Sequence, residues 1–407
     1  MKMEKLLPDT NSFEVNRVVS VLDKLIQFSL FVFAAFSMFS ISVTQIAFAL
    51  GALSWLLKVH LTNTWKELRG TLVGIAILCF CLACVLAVTA SVDLESSFKH
   101  LKKLLQFIIF FWIANTVKDE KQRDLVVGLI IVAGVVAGLI VFSAYLDAGF
   151  IKPGWNQGTR SVPSTFSGAL MIAGLMTLGR LLFHKPKEYW VLGSMGIIGL
   201  SLLLTLVRQA WLGFFVGSTF LVLFWNRKYL LLIPLLLAGL LLFAPQSIKM
   251  RMLSFTSLKD NTLQTRVSTW RGGWEIFKDH PIMGCGFKCA DSVHSQYPDP
   301  SGAIARYRGM HNNVFQLLMD TGIVGLGTWL SIWATYFIEV FKRWRALNGE
   351  KPQDNAAGIL LGTSAVVLAF LAGGFFETNI YDSEIAMLIY FLMGLSLAQV
   401  KKVSKVE

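Results

Sequence analysis

Between Leu25 and Val400 the chain repeats apolar runs long enough to cross a lipid bilayer. A bilayer offers no water to satisfy backbone groups, so continuous apolar runs of this length must fold as helices that bond their own backbone. Composition agrees: 55% of the 407 residues are hydrophobic and 15% are charged, with a mean hydropathy of +0.60. Soluble domains carry far more charge. The chain reads as an all-α polytopic membrane protein, with residues 1–407 forming a single transmembrane domain. The 24 residues before the first run are of mixed charge and show no small-residue cleavage site, which argues against a cleaved signal peptide.

Twelve spans are expected, near 25–39, 42–57, 71–90, 104–117, 125–146, 163–183, 189–207, 210–225, 229–245, 314–341, 356–376 and 384–400. Leu25 to Leu57 is uncharged, but as one helix at ~1.5 Å per residue it would reach ~50 Å. With Lys24 and Lys58 at its ends, a hairpin turning near Ser40 fits better. Trp190 to Trp225 is similar, interrupted by Arg208 and flanked by Lys185, Lys187, Arg227 and Lys228. An arginine is costly in hydrocarbon and cheap at a hairpin tip, so Arg208 is expected at the membrane surface opposite those flanks.

The net charge of +12 follows the same alternation. With both termini placed in the cytoplasm, the inner segments hold 22 of the 37 lysines and arginines, and the short outer segments hold six. This is a topology signal rather than a nucleic-acid surface. It puts the long loop 246–312 outside, expected to carry part of a functional site. Cys79, Cys81 and Cys84 fall inside an apolar run and read as packing residues.

Three features gather at the expected outer face. Arg208, in LVRQAWLG, either snorkels to water or meets a ligand. In TLQTRVSTWRGGWEIFKDHPIMGCGF, the residues Leu263, Val267, Trp270, Trp274 and Phe277 recur at helical spacing. This predicts a helix on the membrane or over the bundle, ended by Pro281, with Arg266 and Arg271 on opposite flanks of its apolar stripe. Those guanidinium groups either anchor the helix at the interface or bind phosphate through two parallel hydrogen bonds. In RGMHNNVFQLLMDTGIVG, Asn312 or Asn313 is expected to cap the following helix. His311 then lies beside a helix N-terminus, whose positive end disfavours the imidazolium and leaves the ring able to accept a proton. Asp320 projects to the opposite face and is expected to pair within the bundle. His280, Cys285, Cys289 and His294 do not have common zinc spacing, and Cys285–Cys289 is a candidate disulfide.

At these residues the sequence resembles the O-antigen ligase and polymerase family of bacterial envelope enzymes. His311-Asn312, nine residues and Gly322-Ile-Val-Gly325 resemble the ligases' His-Asn/Ser/Gln-x9-Gly-x-x-Gly pattern. Arg266 with Trp270, leading to Pro281, Gly284 and Gly286, resembles the family's loop pattern, and VRQAWLG its short arginine motif. The likeness is most specific over residues 200–330. It implies a GT-C-like, metal-independent glycosyltransferase of the bacterial inner membrane that needs no cofactor and acts at the periplasmic face. Its donor would be a glycan on undecaprenyl diphosphate and its acceptor the lipid A–core oligosaccharide, in lipopolysaccharide biosynthesis. His311 would take the acceptor proton, and Arg208 and Arg266 would hold the departing diphosphate. Arg271, Asn312 and Trp270 would complete the substrate contacts. Lys99, Lys102 and Lys103, sharing a face with Gln106, would meet phosphates or simply line an interfacial helix.

Two other readings stand beside this one. A polymerase would join repeat units on the lipid carrier, and the resemblance associates it with two substantial outer loops; here the earlier one, Asp147 to Arg160, is short. A secondary transporter would place ionisable groups near the membrane midplane, whereas here they collect at one surface. The transferred sugar, the acceptor hydroxyl and the oligomeric state are not legible in the sequence.

Overall fold

In a computed structural model of the chain, described over residues 10–68, 70–147, 163–253, 261–297, 301–348 and 355–399, the protein is an all-α bundle. The first half comprises α1 (Thr10–Phe36), α2 (Ile41–Thr62), α3 (Leu72–Thr89), α4 (Leu94–His100), α5 (Ile108–Thr116), α6 (Glu120–Asp147), α7 (Pro163–Phe183) and α8 (Tyr189–Leu204). Then come α9 (Arg208–Asn226), α10 (Leu232–Phe243), α11 (Gln246–Leu253), α12 (Asn261–Asp279), α13 (Ala290–Val293) and α14 (Ala303–Tyr307). The chain closes with α15 (Asn313–Asn348), α16 (Asn355–Gly373) and α17 (Ser383–Leu397).

Among the described residues, eight helical runs are long and apolar enough to cross a membrane, and α8 and α17 are shorter apolar helices. Two expected spans differ in form. The fourth is pieced together from α4, a 3-10 segment Leu101–Phe107 and α5. The eighth and ninth are consecutive parts of one helical run, Arg208–Phe243. Extended Asn226 breaks that run by accepting the Lys228 N–H with its side chain, and a 3-10 turn Arg227–Leu231 follows. The expected hairpins are present. Ser40 caps α2 by accepting from the Val43 N–H. α8 and α9 are separated by Leu206 in the left-handed region (φ 56°) and extended Val207.

In lipid, apolar burial gives little drive for helices to associate, so close approach of small residues matters. Gly179 of α7 lies so near Gly358 and Gly362 of α16 that a Cβ there would stand 2.9 Å from the Gly358 carbonyl oxygen. α17 is buried from Ile385 to Leu397, whereas Phe28, Leu53 and Leu78 point outward and are more than half exposed, as lipid-facing residues would be.

One break positions the site. Gly322 has φ 63° and ψ −165°, so α15 is a half-helix over 313–321 followed by the span proper. That backbone region is open essentially to glycine. The freed groups are repaired by the turn after α12, as buried irregular backbone requires. Ile323 and Val324 donate to the Pro281 and Ile282 carbonyls, and the Met319 and Asp320 carbonyls accept from the N–H groups of Cys285 and Gly286. Gly284, at φ 73°, brings this turn against Thr321. Cys285 and Cys289 are joined by a disulfide in the same turn.

Candidate active site at one end of the bundle

The half-helix carries His311 at its mouth. Asn312 caps it: its Oδ1 accepts from the N–H groups of Val314 (2.8 Å) and Phe315 (3.1 Å). Its Nδ2 donates to the Phe375 carbonyl at 2.9 Å. Asn312 is therefore buried with both amide atoms engaged in capping the half-helix and tying it to Phe375. Asn313 continues the splice, donating its N–H to the Gly374 carbonyl (2.7 Å) and its Nδ2 to Asn379 Oδ1 (2.6 Å).

These bonds fix the segment 374–381, between α16 and α17, against the His311 turn. That segment brings in Glu377, which the sequence reading did not single out. His311 Nδ1 lies 3.0 Å from Glu377 Oε1. With the carboxylate ionised, the Nδ1–H donates and Nε2 is left as the acceptor. Glu377 Oε2 accepts from Gln209 Nε2 at 3.3 Å, and Oε1 also accepts from the Thr378 N–H. Burial alone would raise the Glu377 carboxyl, but the hydrogen bond and charge of His311 and the charge of Arg266 outweigh it and hold the group below its ordinary range.

Of the arginines, Arg266 bears on the same carboxylate. Arg208 is the first residue of α9, next to Gln209. Arg266 of α12 stands over the Phe376 ring, 6.0 Å from its centre. Arg271 is exposed on another side of α12, away from these contacts. Trp270 props the turn: its indole N–H donates to the Met310 carbonyl at 2.8 Å, and its ring stacks on Phe315. The apolar stripe on α12 is shifted from expectation. Thr269, Gly272, Gly273 and Ile276 are buried while Trp274 is exposed, because the two glycines let α12 press onto Ile304 and Met310.

The three lysines do not share one face, since the 3-10 winding turns them apart. Lys99 pairs with Glu95 at the surface and Lys102 is exposed. Lys103 turns inward to donate to the Tyr381 carbonyl, and Gln106 donates to Ser383. The earlier outer loop, Asp147 to Arg160, falls outside the described residues beyond Asp147.

Behind Glu377 is a cavity of about 30 Å³, bordered by Gln209, Asn379 and Asp382, about the space of one water. A far larger cavity, about 1130 Å³, opens at the opposite end between Asp23, Lys58, Arg123 and Arg343. It shares no residue with the His311 site, and its size does not make it the centre of the chemistry. The two ends collect different loops. Segments 91–107, 205–209, 281–297, 301–313 and 374–383 meet around His311, while the Asp23–Lys58 and Arg180–Glu188 pairs lie at the other end.

The long apolar helices define a polytopic membrane protein, and a half-buried histidine–carboxylate pair with Arg266 nearby lies at one end of the bundle. Residues 193–330 match the family model described as O-antigen ligase. The match supports a function of the O-antigen ligase or polymerase type. No curated protein matches the chain.

Proposed function

We propose that this protein is an O-antigen ligase, moving a glycan from undecaprenyl diphosphate to a hydroxyl of the lipid A–core oligosaccharide at the periplasmic face of the inner membrane. The observation that carries the reading is the His311 Nδ1–Glu377 Oε1 contact of 3.0 Å, with Arg266 near enough to bias the same carboxylate. Glu377 orients the ring so that Nε2 faces the acceptor hydroxyl and takes its proton as the oxygen attacks the anomeric carbon. The bond from that carbon to the diphosphate breaks, and attack from the opposite side inverts its configuration. The leaving diphosphate gathers charge, which Arg208 and Arg266 stabilise. Arginine suits this task because its planar fork matches phosphate oxygens and never loses its proton. Chemistry placed at the His311 end agrees with the basic residues, which concentrate in the segments of the other end.

Reconstitution with a lipid-diphosphate glycan and core lipopolysaccharide tests the reading. Core-linked glycan is the expected product. A longer glycan still on the lipid carrier, formed without acceptor, is the outcome that would assign polymerisation instead.

A further inference from the structure

Asp320 is completely buried near the end of the half-helix that follows His311, and the transfer chemistry above does not use it. One oxygen, Oδ2, accepts from Gln316 Nε2 at 2.9 Å and from the Tyr381 hydroxyl at 2.5 Å. Gln316 turns its other amide atom, Oε1, to the N–H of Met310 at 3.0 Å, the residue before His311. Tyr381 ends the short 3-10 turn Asn379–Tyr381, on the segment that carries Glu377. The Asp320 backbone carbonyl accepts from Gly286, tying the same residue to the disulfide turn.

We infer that Asp320 is a positioning residue: by accepting from Gln316 and Tyr381 at one buried oxygen, it holds the His311 turn and the Glu377 segment in the register that lets the two side chains meet. The inference rests on the reading of His311 as the base. Neither segment is regular structure at the point of contact, since His311 sits in the left-handed region (φ 46°) and Glu377 lies between α16 and the 3-10 turn. Their relative placement therefore depends on ties outside regular structure, and those through Asp320 reach both beside the bonds of Asn312 and Asn313. What the tie requires is an acceptor at Oδ2, not a charge. The other oxygen, Oδ1, is buried with no hydrogen-bond partner among the described residues, so an amide nitrogen there takes nothing from the network.

The test uses the full chain in lipid nanodiscs, comparing D320N, D320L, Y381F and H311A with the unaltered protein. Three quantities are measured: single-turnover transfer, binding of a lipid-diphosphate glycan, and hydrogen exchange over 374–382. A displacement of about 1 Å at a reacting pair costs on the order of a hundredfold in rate, so D320L should lose about 10- to 100-fold in turnover. Its donor binding should stay within about threefold of normal, with faster exchange over 374–382. D320N should keep at least about a third of the rate, because its amide oxygen still accepts both bonds. Y381F removes one donor and should lose about 3- to 10-fold. D320N as inactive as D320L would overturn the inference by showing that charge or a proton is needed. So would full turnover in D320L, or a loss confined to donor binding. If D320L does not fold, Y381F decides, and full activity there overturns the tie. An active H311A would instead sink the reading of the site, and unchanged exchange over 374–382 in D320L would then reject the tie on its own.

Discussion

Glu377→Gln isolates the charge of the carboxylate while keeping its size. The glutamine Oε1 can still accept from His311 Nδ1, but the imidazolium formed as the ring takes the acceptor proton loses its counter-charge. A hydrogen bond to a charged group contributes about 1.5–3 kcal/mol, which corresponds to a fall in kcat of about 10- to 100-fold. Glu377 lies next to Arg266 as well as His311. Removing its negative charge leaves that guanidinium more available to the diphosphate, so the donor KM should stay level or fall. The kinetics therefore split: kcat drops and donor affinity holds. The assay is transfer from a lipid-diphosphate glycan to core lipopolysaccharide in nanodiscs, with each substrate varied at saturation of the other. A kcat within about twofold of the unaltered enzyme, or a loss found wholly in donor KM, would refute the pairing as a catalytic device.

Arg266→Ala should weaken donor binding and transfer together by about tenfold or more, with lysine rescuing only in part, whereas Arg271→Ala should be mild; titration of a fluorescent donor analogue checks both. The pH dependence follows from the sign of the Glu377 shift. A depressed carboxyl contributes stability that is present above the ordinary carboxylate range of about 4.3 and lost only as pH falls through the lower folded value. In a pH series of folded protein, the unaltered chain should therefore lose more stability than Glu377→Gln as pH falls below about 4.3, and equal losses would contradict the shift. Gly322→Ala should sharply reduce folded protein in a detergent melting assay, since its Cβ would stand 2.3 Å from the Ile282 carbonyl oxygen at a positive φ; Gly128→Ala, with open space around it, should be near neutral or slightly stabilising. Cysteines at 208 and 288, in a background without the free native thiols, should react with an impermeant reagent in spheroplasts, and a cysteine at 118 should react only after lysis.

Much of this architecture can be read from the chain because bilayers translate sequence into structure by simple rules. Uncharged length and basic flanks predict the turns at Ser40 and Arg208, and an asparagine before an apolar run predicts the cap on α15. The break at Gly322 is harder to see. Its neighbours are apolar and helical in pattern, and what stabilises the break is a turn about 40 residues earlier in the chain. Glu377 escaped for a related reason. It belongs to no motif, and its role comes from being spliced to Asn312 and Asn313, contacts that periodicity does not encode. The one available signal was an acidic group in a short connection on the same expected side as His311. Trp270 and Asn312 carry the residue types of a binding site, but their polar atoms are consumed by the backbone of the turn they support.

The measurement that bears most directly on the account is the product formed by the unaltered protein and by His311→Ala from the same lipid-diphosphate glycan and core lipopolysaccharide. The account predicts core-linked glycan of inverted anomeric configuration from the unaltered protein. It also predicts that His311→Ala, correctly inserted and still binding donor, forms none. Near-normal core-linked product from His311→Ala would contradict it.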